Sequence, residues 1–249
     1  PGPGSEGGDR PGGGVSEPLD VSSCLRHVGW MERSFWQARW DQGSIGFHLD
    51  GVNPALSANW TAVVGDRSVA GSRVLVPLCG KSQDLVWLRE QGHEVVGVEF
   101  VEEAARAFFA ELGVAPTRDE TQSGPRYAAP GIEIYVGDFL KVQEADCGRC
   151  DWVYDRAACV AIRPEKRREY VSKLASLAQA GAGLLLISFE HDIGSGPPFS
   201  IPPDEVAALF GQYFQLQTLS ATNQLDAEPR FRERGATFMN EQCYLGLRK

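Results

Sequence analysis

The chain has 249 residues with a formal net charge of −9, and 43% of its residues are hydrophobic. This length and composition can supply a sizeable core for one large α/β domain or two small ones. The acidic balance argues against a general nucleic-acid-binding protein, whose affinity depends on cations that meet phosphates. No apolar run reaches the roughly 18 residues of a transmembrane helix. We therefore expect neither a nucleic-acid nor a membrane partner.

The first thirty residues differ in composition from the rest of the chain. Residues 1–14 are almost entirely Gly, Pro and charged residues, and they lack the apolar core of a signal peptide. Such a segment cannot bury enough apolar surface to offset the entropy of ordering. Because structured patterning begins only near Met31, we expect residues 1–30 to be a disordered extension.

The remainder alternates between helical and strand-like patterns. Trp36 and Trp40 stand at helical spacing, and a second helix is predicted over residues 54–64. Short apolar strands are predicted over residues 73–76, 94–98, 132–136, 151–154 and 184–189. Further helices are predicted over residues 84–91, 102–112 and 203–210.

The last large helix and the tail complete the predicted fold. A helix is expected to begin near Pro164 and to be ended by Gly181 and Gly183. Residues 213–219 and 241–247 have strand patterns with only a loop between them, which predicts antiparallel neighbours. The earlier alternation predicts βαβ units, a mostly parallel sheet and a ligand at the carboxyl ends of its strands.

The first predicted strand leads into V-P-L-C-G-K-S at residues 76–82, a nucleotide-type turn. A Walker A loop requires glycine at the position of Leu75, so a phosphate-binding loop is disfavoured. A dinucleotide fold requires G-x-G-x-x-G, and of these glycines only Gly80 is present, which supports NAD weakly. S-adenosylmethionine has no pyrophosphate, so one close backbone approach suffices for it.

Polar residues end the next two strands. Glu99 lies 19 residues after Gly80, where a carboxylate can accept hydrogen bonds from a ribose diol; a solvated strand end is the alternative. Asp138 can meet an adenine amino group while Phe139 covers the ring, or Asp138 can form an Asx-type turn. The order of these features after successive strands favours an adenosyl ligand.

The fourth strand ends in a charged pair, Asp155 and Arg156. Neighbouring residues of a strand face opposite sides, so one can face a pocket while the other supports it. Arginine keeps its proton, so Arg156 is a candidate holder of anions and not a base. A surface salt bridge is the alternative for this pair.

From about Met31 to its end, the chain resembles the thiopurine S-methyltransferases, especially the bacterial members. The shared motifs are F-W-x-x-x-W (35–40), I-G-F-H (45–48), V-P-L-C-G-K-S (76–82), G-H-E-V-V-G-V-E (92–99), Y-D-R-A-A (154–158), G-P-P-F (196–199) and R-F-R-E-R-G (230–235). The resemblance implies one class I methyltransferase domain over residues 31–249. Its α/β, Rossmann-like sheet would be mostly parallel with an antiparallel C-terminal strand, helices on both faces and an N-terminal helical lid.

The same resemblance implies a set of site residues. Those expected at the cofactor are Trp36, Trp40, Leu78, Gly80, Glu99, Asp138, Phe139 and Arg156. Those expected at the acceptor are Phe47, Pro198 and Arg230, with Arg156 also positioning the acceptor for catalysis. Ordinary helix packing is the alternative for the aromatic residues.

The implied activity is methyl transfer from S-adenosylmethionine to a small thiol, with selenium or tellurium compounds as open possibilities. An aromatic thiol is largely ionised near neutral pH, so in-line displacement needs little or no general base. Two other hypotheses remain open: an NAD-dependent oxidoreductase, and a protein that binds S-adenosylmethionine without catalysis. We expect a monomer.

Six cysteines in a chain of this length do not form a disulfide framework, which favours the cytoplasm. Cys147 and Cys150 have C-x-x-C spacing, but a lone pair of this kind is weak evidence for redox or metal chemistry. His48, His93 and His191 do not have the spacing of a metal site. We therefore expect no metal.

Overall fold

The computed structural model describes residues 1–2, 33–194 and 196–249. The disorder expected for residues 1–30 lies, apart from the first two residues, outside this part of the chain. The single domain expected over residues 31–249 likewise remains a prediction.

Nine strands of the described residues form one sheet in the order β3-β4-β5-β2-β1-β6-β7-β9-β8. The strands are β1 (Arg73–Pro77), β2 (Glu94–Glu99), β3 (Thr117–Thr121), β4 (Gly124–Ala129), β5 (Ile132–Val136), β6 (Cys150–Arg156), β7 (Ala178–His191), β8 (Phe214–Asn223) and β9 (Met239–Arg248). The helices are α1 (Arg33–Asp41), α2 (Pro54–Val64), α3 (Gln83–Glu90), α4 (Glu102–Glu111), α5 (Glu144–Cys147), α6 (Arg167–Leu177), α7 (Pro203–Phe210) and α8 (Pro229–Glu233).

The centre of the sheet is parallel and its margins are antiparallel. Strands β5, β2, β1, β6 and β7 pair in parallel, whereas β9 is antiparallel to both β7 and β8. This confirms the predicted mostly parallel sheet and the predicted antiparallel pairing of the two C-terminal strands. Parallel strands joined by helices bring their carboxyl ends to one edge, where such folds bind ligands.

Helices cover both faces of the sheet, as expected for this fold class. Val74 and Val76 of β1 pack in one buried cluster with residues of α2, α3 and α4, whereas Leu75 packs in a second with residues of α6 and α7. Successive side chains of a strand point to opposite faces, so this division places one apolar core on each side.

The turn after β1 is held by helix caps that its sequence provides. The Ser82 side chain accepts a hydrogen bond from the backbone N–H of Asp84, which starts α3. Asn53 caps α2 in the same way and donates its own N–H to the Asp84 carboxylate over 2.7 Å. Helices α2 and α3 are thereby joined directly beneath this turn.

One local prediction was wrong, and one element was not predicted. Helix α6 ends at Leu177, and β7 runs on through Gly181 and Gly183. A side chain at Gly183 would bring its Cβ to 2.8 Å from the Trp152 ring, so this glycine permits close strand packing rather than ending a helix. The β3–β4 hairpin was not predicted, because β3 has the polar sequence T-R-D-E-T without apolar alternation. Charged residues on an edge strand discourage pairing with other chains.

Candidate active site

A cavity of about 620 Å³ opens at the carboxyl ends of the central strands. Helix α1, the segment that follows it, and α8 close it from the outside. Its size lies within the roughly 300–1,000 Å³ of small-molecule sites. Nine of the eleven predicted site residues line it: Trp36, Trp40, Phe47, Leu78, Glu99, Phe139, Arg156, Pro198 and Arg230.

Aromatic rings form the lid side of this cavity. Phe47 packs edge-on against Trp36 and Trp40, with ring centroids 5.7 and 6.2 Å apart. Gly80 does not line the large cavity and instead lies beneath these rings. A Cβ there would meet Trp40 at 3.8 Å and Phe47 at 3.9 Å, and the Gly80 φ of +54° favours glycine.

Glu99 joins the ends of the first two strands. Its side chain is 6% exposed and accepts hydrogen bonds of 2.8 Å from the backbone N–H groups of Gly80 and Val101. Burial raises the pKa of Glu99, and the two backbone donors oppose that rise. The carboxylate therefore fixes the turn after β1 and still borders the cavity, where its remaining lone pairs can accept from a ligand.

Of the two residues expected to bind adenine, only Phe139 is on the cavity wall. Phe139 lines the cavity and packs against Tyr170, with ring centroids 5.2 Å apart. Asp138 is not among the lining residues, and its carboxylate accepts a 3.0 Å hydrogen bond from the N–H of Leu140. The Asx-type alternative describes Asp138 in this structure, and its contact with adenine remains a prediction.

Asp155 and Arg156 at the end of β6 have different environments. Asp155 is fully buried and accepts hydrogen bonds from the Cys159 N–H and the Tyr170 hydroxyl, at 3.1 and 2.8 Å. Burial raises the pKa of Asp155 to about 6. Arg156 lines the cavity and donates from Nη1 to the carbonyl of Phe47 over 3.1 Å. The pair thus divides into a buried support and a cavity-facing cation.

The opposite wall comes from the segment after β7 and from α8. Arg230 donates a hydrogen bond to the carbonyl of Gly46. It also donates from Nε and Nη2 to Oε2 of Glu228, over 3.2 and 2.6 Å. His191, which does not line the cavity, has its Nε2 3.2 Å from the carbonyl oxygen of Pro198 and supports that wall from behind.

Sequence reasoning missed Arg39 and Glu228, which both line the cavity. Arg39 follows Trp36 by three residues and precedes Trp40, so helical spacing places it on the same face of α1. That spacing was the available signal for Arg39. No local pattern marks Glu228, because its role depends on α8 reaching the cavity.

Among the described residues that line the cavity, three have a buried side-chain donor without a hydrogen-bond partner: Nε1 of Trp36, Nε of Arg39 and Nε of Arg156. Buried polar atoms are normally paired, so unpaired donors at a cavity indicate a ligand or water. Two of the three belong to guanidinium groups, which bind anions. Together with the aromatic walls, this donor set fits a ligand that has both a carboxylate and a flat ring.

The family model described as thiopurine S-methyltransferase matches residues 31–249. The chain belongs to the thiopurine S-methyltransferase family. The thiopurine S-methyltransferase of Pseudomonas paraeruginosa (strain DSM 24068 / PA7) is 40% identical over 217 residues, covering 86% of this chain and 98% of that protein. The one from Xanthomonas campestris pv. campestris (strain 8004) is 41% identical over 216 residues, with the same coverage.

Solved structures show the same fold at low sequence identity. The 1,6-didemethyltoxoflavin-N1-methyltransferase of Burkholderia thailandensis, crystallised with 1,6-didemethyltoxoflavin and S-adenosylhomocysteine, has a TM-score of 0.58. It is 17% identical, and the match covers 96% of this chain and 93% of that one. The N-terminal domain of EvdMO1 with bound S-adenosylhomocysteine has a TM-score of 0.56 at 14% identity, covering 88% and 98%.

These findings confirm the predicted thiopurine S-methyltransferase resemblance and the class I fold. They also confirm the predicted enzyme, a methyltransferase that uses S-adenosylmethionine. The cavity fits this cofactor, because the unpaired indole N–H of Trp36 can meet its carboxylate, Glu99 can accept from its ribose, and Phe139 is available to its adenine. The acceptor and the role of each residue belong to the proposal below.

Cys147 ends α5 and Cys150 begins β6; both thiols are free, and burial raises their pKa values to about 11 and about 12. Such thiols are poor nucleophiles at neutral pH, which disfavours a redox role. The described residues contain no group of three metal-ligand side chains. No helix in the described part of the chain is long and apolar enough to span a bilayer.

Proposed function

We propose that the methyl acceptor is a small thiol in its thiolate form. The curated relatives are named for thiopurines, which fit this class, and selenols or related selenium and tellurium compounds are chemically close. The cavity supports this class because its walls are mainly aromatic and aliphatic and its charged groups are mostly guanidinium groups. Such walls suit a flat, anionic molecule.

In this proposal the cofactor lies against the ends of β1 and β2. Leu78 and Gly80 approach it with their backbone, and Glu99 accepts from its ribose. Trp36 and Trp40 cover it from the lid, and Phe139 borders its adenine, with Asp138 nearby. When bound, S-adenosylmethionine supplies a methyl group that its sulfonium makes electrophilic.

The observation that carries the proposal is the position of Arg156. Its side chain lines the cavity; Nη1 donates to the carbonyl of Phe47, and the buried Nε has no hydrogen-bond partner. One edge of the guanidinium therefore remains for an anion. We assign Arg156 the task of holding the acceptor in line with the methyl group, with Phe47, Pro198 and Arg230 forming the surrounding wall. Alignment of this kind supplies much of the rate in a displacement reaction.

No described residue on the cavity wall is placed to act as a general base. Among the described residues on the cavity wall, the carboxylates are Glu99, which holds two backbone donors, and Glu228, which is held by Arg230. Asp155 is buried behind the wall. An acceptor that is already ionised near neutral pH avoids the need for proton removal.

The experiment is a methyl-transfer assay with labelled S-adenosylmethionine, across aromatic thiols, 6-mercaptopurine, selenite and tellurite. We expect turnover of aromatic thiols. The rate should fall as the pH drops below the pKa of the acceptor thiol, because the thiol is then protonated. Calorimetry with S-adenosylhomocysteine and NADH should show binding of the first alone. Binding of S-adenosylhomocysteine without turnover of any acceptor would contradict the proposal and favour a non-catalytic binder.

We also propose a monomer that works in the cytoplasm. The five cysteines that the structure describes are buried, free thiols, which suits a reducing compartment. Light scattering coupled to size exclusion tests the oligomeric state, and a dimer with a Kd below the assay concentration would contradict it.

A further inference from the structure

The charges that line the cavity do not balance. Among the residues that the structure describes, four guanidinium groups and two carboxylates border it: Arg39, Arg156, Arg230, Arg234, Glu99 and Glu228. Both carboxylates are already engaged, Glu99 by two backbone N–H groups and Glu228 by the forked contact with Arg230. Among the described lining residues, positive groups therefore outnumber negative ones before any ligand is bound. Outside the lining, the Glu241 carboxylate lies within electrostatic range of Arg156.

Arg39 is the least compensated of these cations. Its guanidinium lies over the ring of Phe35 at 4.9 Å, and its buried Nε has no hydrogen-bond partner. The ion pairs found within the described residues include neither Arg39 nor Arg156. Arg156 donates to the carbonyl of Phe47 and lies within electrostatic range of Glu241, whereas the aromatic ring of Phe35 is the partner that the described residues give the Arg39 guanidinium.

The ligands of the reaction do not remove this excess. S-adenosylmethionine has an ammonium group, a sulfonium and one carboxylate, so it adds positive charge. A simple thiolate offsets only the charge of the sulfonium. Cations in a partly buried site without a counter-charge are unfavourable, so an acceptor with a second negative group is preferred there.

From this imbalance we infer that the enzyme selects thiols that bear a carboxylate, and that Arg39 is the residue that recognises that carboxylate. The inference rests on the proposed thiol acceptor and specifies its class. The planar guanidinium of Arg39 has parallel N–H donors that can form a bidentate contact with a carboxylate. Because Arg39 is on the lid helix, it can contact a substituent on the far side of the acceptor from its sulfur.

Two acceptors of equal shape test the inference: 4-mercaptobenzoate, with a carboxylate, and 4-mercaptobenzamide, its neutral counterpart. We expect the wild-type protein to favour the carboxylate in kcat/KM by about tenfold. Arg39→Gln should bring this preference to within about twofold, and Arg39→Lys should retain part of it because the charge remains. Arg232→Gln is the matched control, since Arg232 is an exposed arginine of α8 that pairs with Asp226 and does not line the cavity.

A binding measurement separates this inference from the proposed activity. Calorimetry should show 4-mercaptobenzoate binding to the S-adenosylhomocysteine complex about tenfold more weakly in Arg39→Gln than in wild type. The affinity for S-adenosylhomocysteine itself should be unchanged. If that affinity falls instead, Arg39 holds the cofactor carboxylate and the inference is wrong. If 4-mercaptobenzoate binds as expected but no thiol is methylated, the proposed acceptor fails while the role of Arg39 stands.

Discussion

Arg230 of α8 donates a hydrogen bond to the carbonyl of Gly46, 184 residues earlier in the chain. The next carbonyl, that of Phe47, accepts from Arg156 at the end of β6. Two guanidinium groups from distant parts of the chain thus hold consecutive carbonyls of the segment that follows the lid helix. This arrangement connects the acceptor wall to the lid and leads to the first prediction.

Gly46→Ala should weaken acceptor binding without unfolding the protein. The added methyl group would occupy the position of the Arg230 guanidinium, which is the flexible end of its side chain and can move away. Loss of one hydrogen bond, worth about 1 kcal/mol, predicts a rise of about fivefold in the acceptor KM. Steady-state kinetics would show it, with little change in affinity for S-adenosylhomocysteine. Gly51→Ala is the control, since a Cβ there meets nothing within 4 Å; equal effects of both variants would refute the contact's role.

Arg156→Ala should lose activity far more than stability. Removal of a charge-assisted contact with the acceptor is worth about 2–3 kcal/mol, or roughly a hundredfold in kcat/KM. The lost hydrogen bond to Phe47 should lower the free energy of unfolding by only about 1 kcal/mol. Kinetics and urea unfolding measure the two effects. Arg168→Ala, which removes an exposed arginine of α6, should change neither. Wild-type kcat/KM in Arg156→Ala would show that the assigned role is wrong.

Asp155→Asn should change the pH dependence of stability while lowering kcat by no more than about tenfold. Burial raises the pKa of Asp155 to about 6, above the ~3.9 of an unfolded chain. The native state therefore binds the extra proton, and this contribution to stability is present below about pH 4 and lost as the pH rises through 6.

The measurement for Asp155 is urea unfolding of wild type and Asp155→Asn at pH 4.5 and pH 7. The variant should be more stable relative to wild type at pH 7 than at pH 4.5, because asparagine does not ionise. Its kcat should stay within about tenfold of wild type, far above that of Arg156→Ala. A loss of kcat as large as that of Arg156→Ala would instead identify Asp155 as a base.

His93, which lies at the other end of the sheet, should change the pH dependence of stability in the opposite direction to Asp155. It is 2% exposed; its Nε2 accepts from Trp60 over 3.0 Å, and its Nδ1 lies 2.7 Å from the hydroxyl of Ser72. Because Nε2 accepts, the neutral ring carries its proton on Nδ1 and donates to Ser72. Burial lowers the pKa of His93, against a weaker effect of Asp151.

The unfolded state therefore binds more protons below about pH 6.5, so the contribution of His93 to stability is lost as the pH falls below that value. His93→Gln should lower the free energy of unfolding by about 1–3 kcal/mol at pH 7.5 and by less at pH 5.5. Urea unfolding at both pH values checks this. A pH-independent difference between variant and wild type would contradict the neutral, buried ring.

Much of the site was predictable because of how a parallel sheet is built. The turn containing Gly80, the acid at Glu99 and the charged end of β6 each follow an apolar strand, and the carboxyl ends of parallel strands lie at one edge. Asp138 shows the limit of that reasoning. The same position after a strand suits either a ligand contact or a turn, and only the location of the Leu140 N–H showed that its carboxylate closes the turn.

The amino-acid sequence by itself determined the family, the alternation of strands and helices, and the turn at residues 76–82, because these depend on local patterns and short motifs. The tertiary structure decided which charges face one another. It brought Arg230 to Gly46, paired Arg230 with Glu228, and left Arg39 with an unpaired donor at the cavity. Such pairings join residues far apart in the chain, so no local pattern records them and only the folded arrangement of α1, β6 and α8 creates them.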